Sequence, residues 1–394
     1  VLFAGSGLSR TGYIALVSVA ALAAEDLLGS ASLAGLPGAA TTIGIAVGTA
    51  PLAALMARRG RRPGIALGLA MASVGAVVVA IAITTGIFPL FVAGMFLFGF
   101  GAAGDRLSRY AAADISLADR RSFAISLIVW AGTIGSVLGP LLLEPVTTVA
   151  EGLGFDGLVG PAVFAAAVSA IGAVAMWAAL RPDPLFLADQ VVRGFSARPS
   201  LRPLVTSPRV RYAIVALVVG QVVMVLIMTM TPVYIRRAGE AIEIVGLVIG
   251  AHTFGMFAVS PLTGLLADRL GRLPVMVAGQ FTLVVAAVMA AFAGGDSTAL
   301  LVASLFLLGL GWNLGFVAGS AYLTEQAPAE LRVRLQGRGD AIAWASGATA
   351  SLLSGLLLEV SSFATLCVVG AFLVLIPLGL LHRYGWSGLQ PQAV

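Results

Sequence analysis

Pro261-Leu-Thr-Gly-Leu-Leu-Ala-Asp-Arg-Leu-Gly-Arg-Leu-Pro274 and Pro51-Leu-Ala-Ala-Leu-Met-Ala-Arg-Arg-Gly-Arg-Arg-Pro63 are two versions of one segment, differing by one inserted residue. In each, an apolar run ends in an arginine-rich turn around a glycine, and a new apolar run starts at a proline. A second pair, Phe96-Leu-Phe-Gly-Phe-Gly101 and Phe306-Leu-Leu-Gly-Leu-Gly311, lies at the same separation of about 210 residues. A repeat of that period divides the chain into two related halves.

What the halves are made of follows from composition. The 394 residues are 59% hydrophobic and 10% charged, with a mean hydropathy of +1.02. A soluble domain carries roughly 25% charged residues. Apolar runs of about 20 residues, enough to cross a bilayer, recur along the whole length. A single secretory signal does not account for them. We read twelve spans, near 2–24, 34–57, 63–84, 87–109, 121–143, 159–180, 211–233, 243–267, 274–294, 299–322, 339–359 and 362–382. The expected fold is an all-α polytopic membrane protein with twelve transmembrane helices in two six-helix halves. Its expected divisions are an N-terminal bundle 1–180, a linker 181–209, a C-terminal bundle 210–382 and a tail 383–394. The linker holds Pro182, Pro184, Pro199, Pro203 and Pro208 among several arginines. The chain starts at Val1 rather than Met, so a preceding segment is expected.

The net charge is +5, and every basic residue is arginine. The positive-inside rule explains this better than nucleic-acid binding does. Arg58, Arg59, Arg61, Arg62, Arg106, Arg109, Arg120, Arg121, Arg269, Arg272, Arg332, Arg334, Arg338 and Arg383 fall on one side with the linker. Arg236 and Arg237 lie opposite, with Glu25, Asp26, Glu144, Glu151, Asp156, Glu240, Asp296 and Glu359. Both termini are therefore expected to be cytoplasmic. Two facing halves with a site near mid-membrane make a transporter design. No phosphate-binding loop, metal-hydrolase histidine pair or nucleophile with its base is present, so the chain reads as a non-enzyme with no prosthetic group.

Intramembrane polar and soft groups are few, and each is a functional candidate. Span 7 carries Gln221 and Met224-x-x-x-Met228, and span 8 carries His252-x-x-x-Met256. A spacing of four sets each pair on one helix face. In antiparallel neighbours, Met228 comes level with His252 and Met224 with Met256. Thioethers and neutral imidazole suit Cu(I), bind hard Mg or Ca poorly, and leave zinc better served by thiolates and carboxylates. The competing reading is that the methionines fill gaps between helices and His252 bonds a neighbouring helix. Other candidates for the cavity or its gates are Arg10, Asp105, Arg106, Asn313 and the loop residues Asp268, Arg269 and Arg272. Asn313 is open to either cavity lining or helix–helix bonding. Span 5 has Gly135-x-x-x-Gly139-Pro140, which reads as close helix packing with a proline bend. Cys367, the sole cysteine, rules out an internal disulfide and a multi-thiolate site.

The Asp268-Arg-Leu-Gly-Arg272 loop resembles the signature loop of the major facilitator superfamily. Its first-half counterpart, Arg58-Arg-Gly-Arg-Arg62, has arginine in place of the aspartate. Together with that background, the paired methionine and histidine–methionine motifs are similar to those of CcoA-type copper importers. The resemblance implies import of copper across the bacterial inner membrane by alternating access. It implies Met224, Met228, His252 and Met256 as ligands, and supply of copper for a cbb-type haem-copper cytochrome oxidase. Partners would be the copper ion, the lipid bilayer, and a copper chaperone or oxidase assembly factors, with no nucleic acid. Two rivals remain at this stage. Proton-coupled efflux of an amphipathic organic compound needs a membrane-embedded carboxylate, and the spans are poor in these. A copper sensor would bind metal without flux.

Overall fold

The computed structural model describes residues 1–28, 33, 35–188, 205–239, 242–293 and 297–390. Most of the expected linker, with Pro199 and Pro203, lies outside the described residues, as do Glu240, Asp296 and the last four positions. The first part of the chain forms α1 (Leu2–Leu28), α2 (Leu36–Arg59), α3 (Arg61–Thr85), α4 (Phe88–Arg106), α5 (Ser108–Asp114), α6 (Arg121–Leu141), α7 (Leu143–Gly152), α8 (Val159–Ala179) and α9 (Pro184–Ala188). The second part forms α10 (Pro208–Arg237), α11 (Ile242–Thr253), a π turn (Phe254–Ala258), α12 (Ser260–Leu270), α13 (Arg272–Phe292), α14 (Thr298–Glu325), α15 (Ala329–Val360), α16 (Phe363–Tyr384) and α17 (Trp386–Leu389). No strand occurs among the described residues. A backbone without water must satisfy its own hydrogen bonds, and helices do so within one segment.

Among the described residues, eleven stretches are long and apolar enough to cross a membrane. The twelfth is a pair, Ile244–Ala258 and Ser260–Leu270, bent by 41°. This is the expected span 8, and it is broken rather than straight.

The chain forms two compact units. One comprises Val1–Ile115 and Ala131–Gly194, and the other Ser116–Trp130 and Phe195–Val394. The expected division by sequence order is thus crossed by one segment, since the start of α6 clusters with the second unit. In the first unit small residues pack the interior, among them Ala20 and Ala23 of α1, Ala72 and Ala76 of α3, and Ala162 and Ala165 of α8. Large side chains face outward at helical spacing, such as Val74, Val77 and Ile81 on α3, and Ile171 and Val174 on α8. That is the inverse of a soluble bundle, as expected where lipid is the outer solvent and helices associate by close packing. Gly135 and Gly139 of α6 meet α1 at Arg10 and Ile14, where an added Cβ would stand 2.8 Å from either residue. The glycine spacing in span 5 is therefore a packing surface.

The repeated arginine-rich turn folds alike in both halves. Gly60 has φ 101° and ψ 166°, and Gly271 has φ 96° and ψ 153°. Only glycine adopts this region readily, and each glycine starts the next long helix. The carboxylate serving the turn differs. In the second unit Asp268 accepts from the backbone N–H groups of Ser122 (3.1 Å) and Phe123 (2.8 Å), capping α6. Arg272 pairs with Asp268 at 3.2 Å and Glu325 at 3.1 Å, and donates to the Ala118 carbonyl. Arg269 is exposed. In the first unit, where arginine replaces that aspartate, the cap comes from Asp183. Its two oxygens accept from the N–H groups of Arg61 (2.9 Å) and Arg62 (2.8 Å) at the start of α3. Arg61 Nε also meets Asp114 Oδ2 at 2.7 Å, and both side chains are buried.

The expected tail is partly tied down. The Tyr322 hydroxyl donates to the Leu389 carbonyl, Arg209 Nε donates to Gly388 O at 3.2 Å, and Leu389 is fully buried.

Candidate cargo site

In the second unit α11 and the π turn cross α14 at very short range. A Cβ on Gly309 would lie 2.2 Å from the His252 carbonyl oxygen, and one on Gly255 would lie 2.4 Å from the Phe306 carbonyl oxygen. The first unit has a matching crossing, in which Gly44 meets Phe96 O and Gly99 meets Thr41 O. There, Thr41 stands where His252 does. At this crossing, then, the second unit has an imidazole where the first has a hydroxyl.

His252 is 1% exposed. Its Nδ1 lies 3.0 Å from the Leu305 carbonyl oxygen of α14. A carbonyl only accepts, so Nδ1 carries the proton and the neutral ring has its lone pair on Nε2. Nε2 is buried and has no hydrogen-bond partner among the described residues. A second-helix carbonyl that fixes the tautomer of a ring otherwise ready to ligate is the usual support of a metal-binding histidine.

Met256 lies inside the π turn, partly buried. The ladder there runs i→i+5 rather than i→i+4, so His252 and Met256 are not on one regular α-helix. Met224 and Met228 do lie in an uninterrupted helix, α10. Met224 is buried, and Met228 packs against an apolar cluster that includes Val223, Ile227 and, from α11, Val248, one turn before His252. No group of three or more His, Cys, Asp or Glu side chains gathers among the described residues. A metal here would rest on imidazole and thioethers.

Asn313 bonds between helices. Its Nδ2 donates to Met256 O (2.6 Å) and Ser260 Oγ (2.5 Å), and its Oδ1 accepts from Thr263 Oγ1 (2.5 Å). It is fully buried. Gln221 of α10 accepts from Trp312 Nε1 at 2.9 Å. Trp312 stacks on Phe316 at 4.4 Å and meets Phe257 edge-on at 6.2 Å, making an aromatic group beside Gln221. Sequence reasoning missed this group and the Ser260–Thr263 pair. Spacing marks Ser260 and Thr263 on one face of α12, but nothing local says that α14 supplies an amide opposite them.

The first unit brings Arg10 of α1 to Asp105 of α4, Nε to Oδ2 at 3.1 Å. The Arg106 guanidinium lies 5.0 Å over the ring of Tyr13, which stacks on Phe98. An ion pair thus joins two apolar spans, between two residues that the sequence had marked as gate or cavity candidates, and Asp105 is buried. Cys367 is a buried apolar-core residue of α16.

Residues 2–244 and 238–385 match the model of the Major Facilitator Superfamily. The chain is 36% identical over 385 residues to YddS of Bacillus subtilis (strain 168), an uncharacterized MFS-type transporter, covering 95% of this chain and 86% of that protein. It is 29% identical over 352 residues to the riboflavin transporter RfnT of Brucella anthropi, covering 89% and 86%. These names do not point to copper. In structure the chain is similar to the proton:xylose symporter XylE, with a TM-score of 0.79 at 16% identity, over 97% of this chain and 94% of that one. It is also similar to a bacterial homologue of the iron transporter ferroportin in an outward-facing state with soaked iron, with a TM-score of 0.74 at 15% identity over 97% and 98%. These likenesses establish the fold. The chain belongs to the Major Facilitator Superfamily, and it is a multi-pass membrane transporter rather than an enzyme.

Proposed function

We propose that the cargo is copper, carried as a soft ion by His252 and Met256 with Met224 and Met228. The observation that supports this most is His252 Nε2, buried without a hydrogen-bond partner among the described residues while Nδ1 is held by Leu305 O. Leaving a buried polar atom unpaired costs about 1–3 kcal/mol, and a bound soft metal offsets that cost. Thioethers hold the ion without cancelling its charge, so the site can release it as well as take it. The direction is import across the bacterial inner membrane, with both termini cytoplasmic by the arginine distribution. The delivered copper serves assembly of a cbb-type oxidase through a chaperone or assembly factors. The test is copper accumulation in cells carrying His252→Ala or Met256→Ala. We expect uptake to fall at least tenfold, by analogy with the loss of a metal's supporting contacts. Wild-type rates in correctly inserted variants would remove the ligand assignment.

A second reading has its own support. The Trp312, Phe316 and Phe257 rings beside Gln221 suit a flat aromatic solute, and one relative is named a riboflavin transporter. The Arg10–Asp105 pair supplies the embedded carboxylate that proton coupling needs. Trp312→Ala abolishing flavin uptake with copper accumulation unchanged would favour it.

A further inference from the structure

The broken span has a cause and a keeper. Pro261 has no N–H, so the ladder loses a donor at the start of α12. Asn313 Nδ2 supplies a donor to Met256 O from α14, and Thr263 Oγ1 orients the amide by donating to its oxygen. The first half is an internal control. Pro51 lies inside α2, which runs unbroken from Leu36 to Arg59. At the repeat separation of about 210, Ala103 stands for Asn313 (313 − 210) and Ala53 for Thr263 (263 − 210). The same proline thus gives a continuous helix where the opposing residues are alanines, and a π turn where they are an amide and a hydroxyl.

We propose that Asn313 is a positioning residue that holds the His252–Met256 segment in its π register. Both flanks of the segment are anchored. His252 is tied to Leu305 O on one side, and Asp268 with Arg272 is tied to α6 and Glu325 on the other. Moving the register by one residue turns one flank against the other by about 100° and slides it by about 1.5 Å. Either His252 leaves Leu305 or the arginine turn leaves its partners. The Asn313 amide binds the carbonyl inside the π turn and the hydroxyl just after it, so it selects the register in which Met256 and His252 sit as observed. Its link to cargo rests on the copper reading; its link to helix register does not.

The experiment is methyl NMR of protein labelled with [13C-methyl]methionine in detergent, with the Met256 signal identified by its loss in Met256→Leu. In Asn313→Leu the Met256 signal is expected to move, while those of Met56, Met71, Met95 and Met176 stay in place. Thr263→Val, which removes one hydrogen bond and little volume, is expected to move it in the same direction by less. An unmoved Met256 signal in folded Asn313→Leu overturns the proposal. So does a general shift of all the methionines in both variants, which marks an ordinary packing residue. A competition titration with a Cu(I) chelator then reads the consequence, with Kd expected to rise about tenfold in Asn313→Leu. If His252→Ala leaves copper binding unchanged, the copper reading fails, and the methyl signals still decide the register proposal.

Discussion

Gly309→Ala tests how much of the site depends on the crossing of α14 with the π turn. The new Cβ would stand 2.2 Å from the His252 carbonyl oxygen and 2.9 Å from Met256 N. Comfortable contact for a carbon is about 3.5 Å, so the two backbones must part by about 1.3 Å. Both atoms in the way are backbone, and no side-chain rotation relieves them. Asn313 lies one turn further along the same face of α14. Its 2.6 Å bond to Met256 O would stretch beyond hydrogen-bond range under a displacement of that size. Overpacking costs about 1–3 kcal/mol, and the lost buried bond adds about 1 kcal/mol. Gly315→Ala on the same helix is the matched control, because nothing lies within 4 Å of its added Cβ. There the expected effect is a gain of up to about 1 kcal/mol from helix propensity. The assay is the midpoint of heat inactivation in detergent at one scan rate, since membrane proteins seldom unfold reversibly. Gly309→Ala should lower it by several degrees and also reduce uptake, and Gly315→Ala should leave both near wild type. Equal behaviour of the two variants refutes the crossing as the element that seats the site.

Two further tests address the arginine turns. Breaking the buried Arg61–Asp114 pair by Asp114→Ala should destabilise the first half by about 3–5 kcal/mol, because a guanidinium is left without its carboxylate in a dry place; folded protein yield would check it, and an Asp114→Ala protein as abundant and heat-resistant as wild type contradicts it. Asp183→Ala and Asp268→Ala each remove a carboxylate that caps two N–H groups, at about 0.5–2 kcal/mol each. Hydrogen exchange should quicken at residues 61–62 in the former and 122–123 in the latter, and no change at those amides would show that the carboxylates do not cap.

The spans, the two-half repeat and the arginine-rich turns were legible in the sequence because they are local. Hydropathy over about 20 residues and a glycine between arginines need no knowledge of neighbours. The likeness of Gly60 and Gly271 in φ and ψ bears this out. The aspartate missing from the first turn was legible as well, but its replacement was not. Asp183 is more than 120 residues away in the chain, and only folding brings it to Arg61 and Arg62. His252 and Met256 stood out as residue types, yet their spacing suggested an ordinary helical face. The π turn that interrupts that helix was not legible, because the Asn313 bond and the two glycine crossings that meet it involve another helix.

By itself, then, the sequence determined a twelve-span chain in two halves, with its rare soft and charged side chains assigned to particular helices. Only the tertiary structure decided which face of each helix meets which neighbour. That choice settled Asn313, open between cavity lining and helix–helix bonding, as a bond between helices, left His252 with one nitrogen held and the other without a partner among the described residues, and broke span 8 where the equivalent helix of the first half runs unbroken. The physical reason is that a buried polar atom must find its partner on another helix. Such a partner is set by packing, and packing is written in no single stretch of residues.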